Sequence, residues 1–101
     1  MNTPTKGSVR CIVFREGEEW YGVALEFNIV VEGDDFDVVM FELQEAIRGY
    51  IEAEKKVAGS NTHEPLNQKP DDEYEQLWQM LQESKPVPSP YQVKYYGVAA
   101  I

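Results

Sequence analysis

Within LEFNIVVEGDDFDVV, Leu25 to Val39, the apolar pattern changes its period, and that change limits what the chain can fold into. Upstream, WYGVALEF alternates: Tyr21, Val23, Leu25 and Phe27 fall on one face, Trp20, Gly22, Ala24 and Glu26 on the other. Period two is the mark of a half-buried strand. Downstream, apolar residues recur at Phe36, Val39, Met40, Leu43, Ala46, Ile47, Tyr50 and Ile51. At ~100° per residue they cover an arc of ~140°, a core-facing helical stripe running to about Glu54. Between the two patterns Gly33 permits a bend, and Asp34 or Asp35 can accept backbone N–H bonds as an N-cap. Asp37 falls in the first helical turn, where the helix dipole favours a negative charge.

The flanking segments extend this β-to-α switch into an architecture. VRCIVFR, Val9 to Arg15, is short and rich in β-branched residues and reads as a strand, with EGEE (Glu16 to Glu19) as the hairpin turn that follows. Asn28 ends the second strand, and Ile29 to Glu32 form a third. The glycine, polar residues and prolines of Ala58 to Pro70 predict a loop. A second helix is expected over Asp71 to Ser84, with Tyr74, Leu77, Trp78 and Leu81 as one stripe. KPVPSP, Lys85 to Pro90, is a stiff connector, and Tyr91 to Val98 reads as a last strand at a sheet edge. The expected fold is α+β: an antiparallel sheet of three to four strands with a long helix on one face. It divides into a flexible N-terminus (1–8), a β-β-β-α core (9–57), a loop (58–70), and a helix plus strand (71–101) that complete the same single domain. A chain of 101 residues fits one such domain.

Charge narrows the function. Asp plus Glu number 18 against 9 Lys plus Arg, and the bases are scattered, so no basic stripe exists to hold a phosphate backbone. Direct binding of nucleic acid is not expected, and an acidic surface suits a basic partner. With one cysteine, Cys11, no intrachain disulfide can form; no signal peptide or membrane-spanning run is present, and a cytoplasmic protein is expected.

The acids of Leu25–Phe36 raise the question of a metal or catalytic site. Such a site needs carboxylates converging from several elements. Asp34, Asp35 and Asp37 sit at a strand-to-helix junction, where capping explains them, and Glu26 and Glu32 at strand ends are expected to face solvent. His63, the single histidine, lies in the loop, and Cys11 reads as a buried inert thiol, so a Cys11–His63 pair is not expected. No phosphate-binding glycine loop is present. Neither a catalytic group, a metal nor a cofactor is expected. Trp78 lies in its helical stripe and reads as core; Trp20, which opens its strand, is less constrained. Val38 and Phe41, ~60° apart on the polar side of the long helix, and Tyr95 in the tail strand are candidate interface residues along with Trp20.

From about Cys11 to Glu54 the order of elements resembles the HicB family, small proteins with a partial RNase H-like fold. The resemblance rests on YGVALEFNIVVEGDD followed by FDVVMFELQEAIRGYIEAE, with Gly33-Asp34 at the turn, Glu45-Ala46-Ile47 at an "EAL" step, Tyr50-Ile51-Glu52 at a "YLE" end, and Leu25 to Ile29 as a "LEFDI" segment. It implies a stand-alone relative of the antitoxins of toxin–antitoxin systems, which block a small basic HicA-like toxin that cleaves RNA. The chain departs from the DNA-binding members, because after Tyr50 it carries no basic recognition helix. True RNase H sites place an acid in the first strand, and VRCIVFR has none. The expected function is therefore a non-enzymatic protein-binding module acting through an acidic surface, and a homodimer. The alternatives are a carboxylate- and metal-dependent nuclease or hydrolase, and a structural homo-oligomer.

Overall fold

The computed structural model describes residues 2, 7–56 and 68–100. Strands β1 (Ser8–Glu16), β2 (Glu19–Ala24), β3 (Ile29–Gly33) and β4 (Gln92–Ala100) form one antiparallel sheet in the order β3-β2-β1-β4. Helix α1 (Phe36–Lys56) follows β3, and helix α2 (Asp72–Gln82) precedes β4. The α+β architecture expected from the two periodicities is the one observed. The tail strand pairs within its own chain, against β1, with Ser8 opposite Ala100 and Cys11 opposite Gly97.

β1 is apolar at both parities because it is central and covered on both faces. Val9, Cys11 and Val13 point to α1, which buries Val39, Leu43, Ile47 and Ile51 against them. The expected stripe is thus the buried one, with Phe36, Met40 and Tyr50 packed along its margins. Ile12 and Phe14 point the other way, into a second cluster with Val23, Leu25 and the α2 residues Leu77 and Trp78. The sheet lies between the two helices, where one covered face was expected. Gly22 lets α1 approach closely: a Cβ there would lie 3.0 Å from Val39 and 3.2 Å from Leu43.

The second strand is shorter than its alternation suggests. It ends at Ala24, and Leu25–Phe27 form a single 3-10 turn closed by Asn28 in the left-handed region, φ 52°. Asparagine tolerates that conformation better than most residues. The turn breaks the parity of the strand. Phe27, expected on the face of Leu25, instead joins the α1 cluster and stacks on Tyr50 at 4.7 Å between ring centroids. Glu26, expected to face solvent, turns toward β1 and is paired there. The carbonyl of Glu26 accepts from Gln68 N–H at 2.8 Å, tying this turn to the segment that leads into α2. The predicted loop lies outside the described residues up to residue 67, and so does His63 with its pairing to Cys11.

Candidate functional site

Chain direction alone brings the acidic segments together. β1 runs up to Glu16 and β2 starts down at Glu19, while β3 rises beside β2 with Glu32 opposite Tyr21 and Gly33 opposite Trp20. The β1–β2 turn and the β3–α1 junction therefore share one end of the sheet. Glu16, Glu18, Glu19, Glu32, Asp34, Asp35 and Asp37 are all exposed at that end. Ion pairs among the described residues form elsewhere, at Arg10, Arg48, Lys55 and Lys85, and none engages these acids. The nearby Arg15 spends its Nε on the carbonyl of Gly17, at 2.7 Å. The negative field reaches neighbouring phenols. Burial first, then Glu32, Glu16 and Glu19, push the Tyr21 hydroxyl above its ordinary pKa. Burial, then Glu73, Asp71 and Glu16, do the same to Tyr74. Among the described residues no group of three or more His, Cys, Asp or Glu is arranged to hold a metal ion.

Of the three aspartates read as serving the helix start, Asp35 carries the cap: its Oδ1 accepts from Asp37 N–H at 3.0 Å, and its carbonyl accepts from Val39 N–H. Asp37 occupies the first turn of α1, and Asp34 stands exposed before the cap. Val38 and Phe41 follow on the outer side of α1, 46% and 63% exposed. They form an apolar spot directly behind the acids. Trp20 is half-buried and meets Phe36 edge-on at 5.5 Å, fastening β2 to the start of α1. Tyr95 sits apart from these three, on β4, with its ring lying over Gly97.

A second constellation was not anticipated from the sequence. Arg10 bridges three elements. Its Nε and backbone N–H donate to the Glu26 carboxylate at 2.6 and 2.7 Å, and its Nη1 and Nη2 donate to Glu75 of α2 at 2.7 and 2.9 Å. The guanidinium also lies 5.7 Å from the centroid of the Trp78 ring. A two-pronged arginine–carboxylate pair combines charge with fixed geometry. The Glu75 hydrogen bonds, joined by those of Glu26, raise the Arg10 pKa, while Arg10 holds Glu75 below the usual carboxylate range. The arrangement docks α2. The signal for it lay in β1: Arg10 shares its parity with Ile12 and Phe14, and a charge on an apolar face requires a partner. Cys11, pointing the opposite way, is buried, and burial followed by the charge of Glu26 pushes its thiol up to about 11. It is protonated and inert at neutral pH.

Shallow grooves flank β4 on both faces. One of about 390 Å³ runs between α1 and the end of β4, floored by Ile47, Ile51 and Ala99. Another, of about 460 Å³, is lined by Leu81, Val87, Val93 and Tyr96. No helix among the described residues is long and apolar enough to cross a membrane. No family model, curated protein or solved structure matches the chain.

Proposed function

We propose that this protein is a non-enzymatic binding module that engages a small basic protein through the acidic end of its sheet. The observation that carries the reading is the set of exposed carboxylates from Glu16 to Asp37, unpaired among the described residues and backed by exposed Val38 and Phe41. The carboxylates at this end outnumber the nearby cations Arg15 and Lys94, and the net negative field that remains steers a cationic partner toward it. The adjacent apolar spot supplies contact area that charge alone does not. The resemblance of Cys11 to Glu54 to the HicB family supports the same class of partner, a basic HicA-like toxin, and an antitoxin-like role. The reading includes a homodimer, since a long strand edge is left unpaired among the described residues.

The test is co-expression with the product of a short basic reading frame adjacent to this one, followed by capture of the complex at ~150 mM salt. Capture is expected from the parent and is expected to be lost in a Glu16→Gln, Glu18→Gln, Glu19→Gln variant. A complex indifferent to the triple variant, or no complex at all, overturns the proposal.

A further inference from the structure

The two edges of the sheet differ in how they are protected. β3 is 5 residues long, carries Glu32, and runs directly into Asp34 and Asp35. Short length and charge are the usual guards of an edge. β4 is 9 residues long, bulges at Lys94, its one charge, and beyond that bulge exposes Tyr95, Tyr96 and Val98, the last 57% exposed. The grooves on either face of β4 lie where the alternating side chains of an added strand would project.

We infer that β4 pairs with β4 of a second copy, antiparallel about a two-fold axis at Gly97, continuing the sheet across the dimer. This deepens the homodimer reading above by assigning its surface and register. Charge selects the occupant. A chain of net charge -9 repels its own copy over most of its surface. The β4 edge is the exception. The charged side chains flanking its grooves, Arg48, Glu52, Lys55 and Lys94, are balanced or basic, with Arg48 paired to Glu45 and Lys55 to Glu52. A strongly basic peptide finds no matching acids there, whereas a self-complementary contact needs a near-neutral surface.

The register follows from which residues share a face. Residues opposed across an antiparallel pair lie on the same side of the sheet. Opposite β1, Tyr95 and Gly97 face α1 with Val13 and Cys11, as does Ala99 with Val9. Tyr96 and Val98 face α2 with Ile12 and Arg10. An axis at Gly97 sets Tyr95 opposite Ala99 of the second copy, beside the groove floored by Ile47 and Ile51. It also sets Tyr96 opposite Val98. Each exposed aromatic thereby covers a smaller residue, and the two glycines at the axis leave room for both Tyr95 rings.

The experiment is sedimentation of the parent, Val98→Lys, and Val38→Lys/Phe41→Lys at ~100 μM, since high concentration favours a dimer by mass action. The parent and the double variant are expected at twice the mass of the 11.6 kDa chain, and Val98→Lys at the monomer mass. A monomeric parent overturns the dimer itself. A dimer that survives Val98→Lys but dissolves in the double variant overturns only the edge assignment; both outcomes leave the acidic-surface reading to its own test. Should Val98→Lys fail to fold, a spin label at Lys94→Cys reads the register in an otherwise native chain, because Cys11 is buried. Three residues on either side of the axis, at ~3.3 Å each, place the two labelled backbones ~20 Å apart. A separation more than ~10 Å away from that value, equivalent to about three residues of slip, overturns the register.

Discussion

On one face of the sheet α1 sets Val39, Leu43, Ile47 and Ile51 against Val9, Cys11 and Val13; on the other, α2 buries Leu77 and Trp78 and pairs its Glu75 with Arg10 of β1. α1 is 21 residues long and α2 is 11. A helix of 11 residues has little stability of its own and depends on what it packs against. The α1 face is held by area removed from water, which salt and pH barely touch. The α2 face rests on a smaller apolar contact and on the Arg10–Glu75 and Arg10–Glu26 bonds, which both affect. The two faces should therefore fail in different ways.

Leu43→Ala is expected to do the most damage. Leu43 is 2% exposed in the α1 cluster, and truncating a buried leucine costs ~2–5 kcal/mol through lost burial and the cavity left behind. For a domain with ~5–15 kcal/mol in total, that is a large fraction. Thermal unfolding should shift down as one cooperative transition, since α1 spans the first three strands. A shift no larger than that of a surface substitution would mean that the α1 face is not the main support.

Arg10→Leu should cost less, ~1–3 kcal/mol, chiefly because it leaves the Glu26 and Glu75 carboxylates partly buried and unpaired. Its signature should be local. Hydrogen exchange is expected to accelerate in α2 and at the 3-10 turn, with α1 amides changed much less. Uniform acceleration across both helices would erase the distinction between the faces.

At the start of α1, Asp35→Ala should cost ~1 kcal/mol through loss of its bond to Asp37 N–H, and Asp34→Ala a few tenths at most. Equal effects would mean that the two aspartates share the cap. The matching substitution at α2, Asp71→Ala, removes the side chain that accepts from Glu73 N–H at 3.0 Å. Because α2 has less packing to fall back on, the same ~1 kcal/mol should appear there as faster local exchange rather than as a shift in global unfolding.

How much of this was legible in the sequence differs between the faces for the same physical reason. The α1 stripe is a local pattern, set by residues three and four apart, and it reads directly. The helix starts are equally local, though the pattern leaves the first cap open between Asp34 and Asp35 and puts Asp71 inside the second helix, which it caps instead. The Arg10 bridge joins residues 16 and 65 positions apart, and no spacing rule reaches that far. Strand parity extended through Leu25–Phe27 puts Glu26 on the wrong side, because a 3-10 turn resets it there. The partner of β4 is likewise a tertiary fact: the edge character of Tyr91 to Val98 can be read from its residues, but not that β1 is its neighbour. Of the candidate surface, the pair Val38/Phe41 could be named, whereas Asp34, Asp35 and Asp37 read as the helix start and Glu16 to Glu19 as a turn. That the β1–β2 turn and the β3–α1 junction share one end of the sheet follows from the antiparallel direction of the first three strands.

The smallest expected effect is also the one that separates the faces most cleanly, and it is the response to acid. Arg10 holds Glu75 below the usual carboxylate range when folded, while the unfolded chain has the ordinary value of about 4.3. A carboxylate with a depressed folded pKa stabilises the fold above its unfolded pKa and loses that contribution as pH falls through the folded one. The Glu75 contribution should therefore be whole at pH 6 and fade below about pH 4. The Glu75 side chain is 31% exposed, so solvent screening keeps its worth under ~1 kcal/mol. Other carboxylates titrate in the same window, and a Glu75→Gln chain controls for them. The difference in α2 exchange protection between parent and Glu75→Gln should be present at pH 6, shrink toward pH 3, and also shrink at ~1 M salt. The same difference measured in α1 should stay near zero at every pH. A parent-minus-variant difference that persists unchanged at pH 3 would show that Glu75 docks α2 by shape rather than by charge.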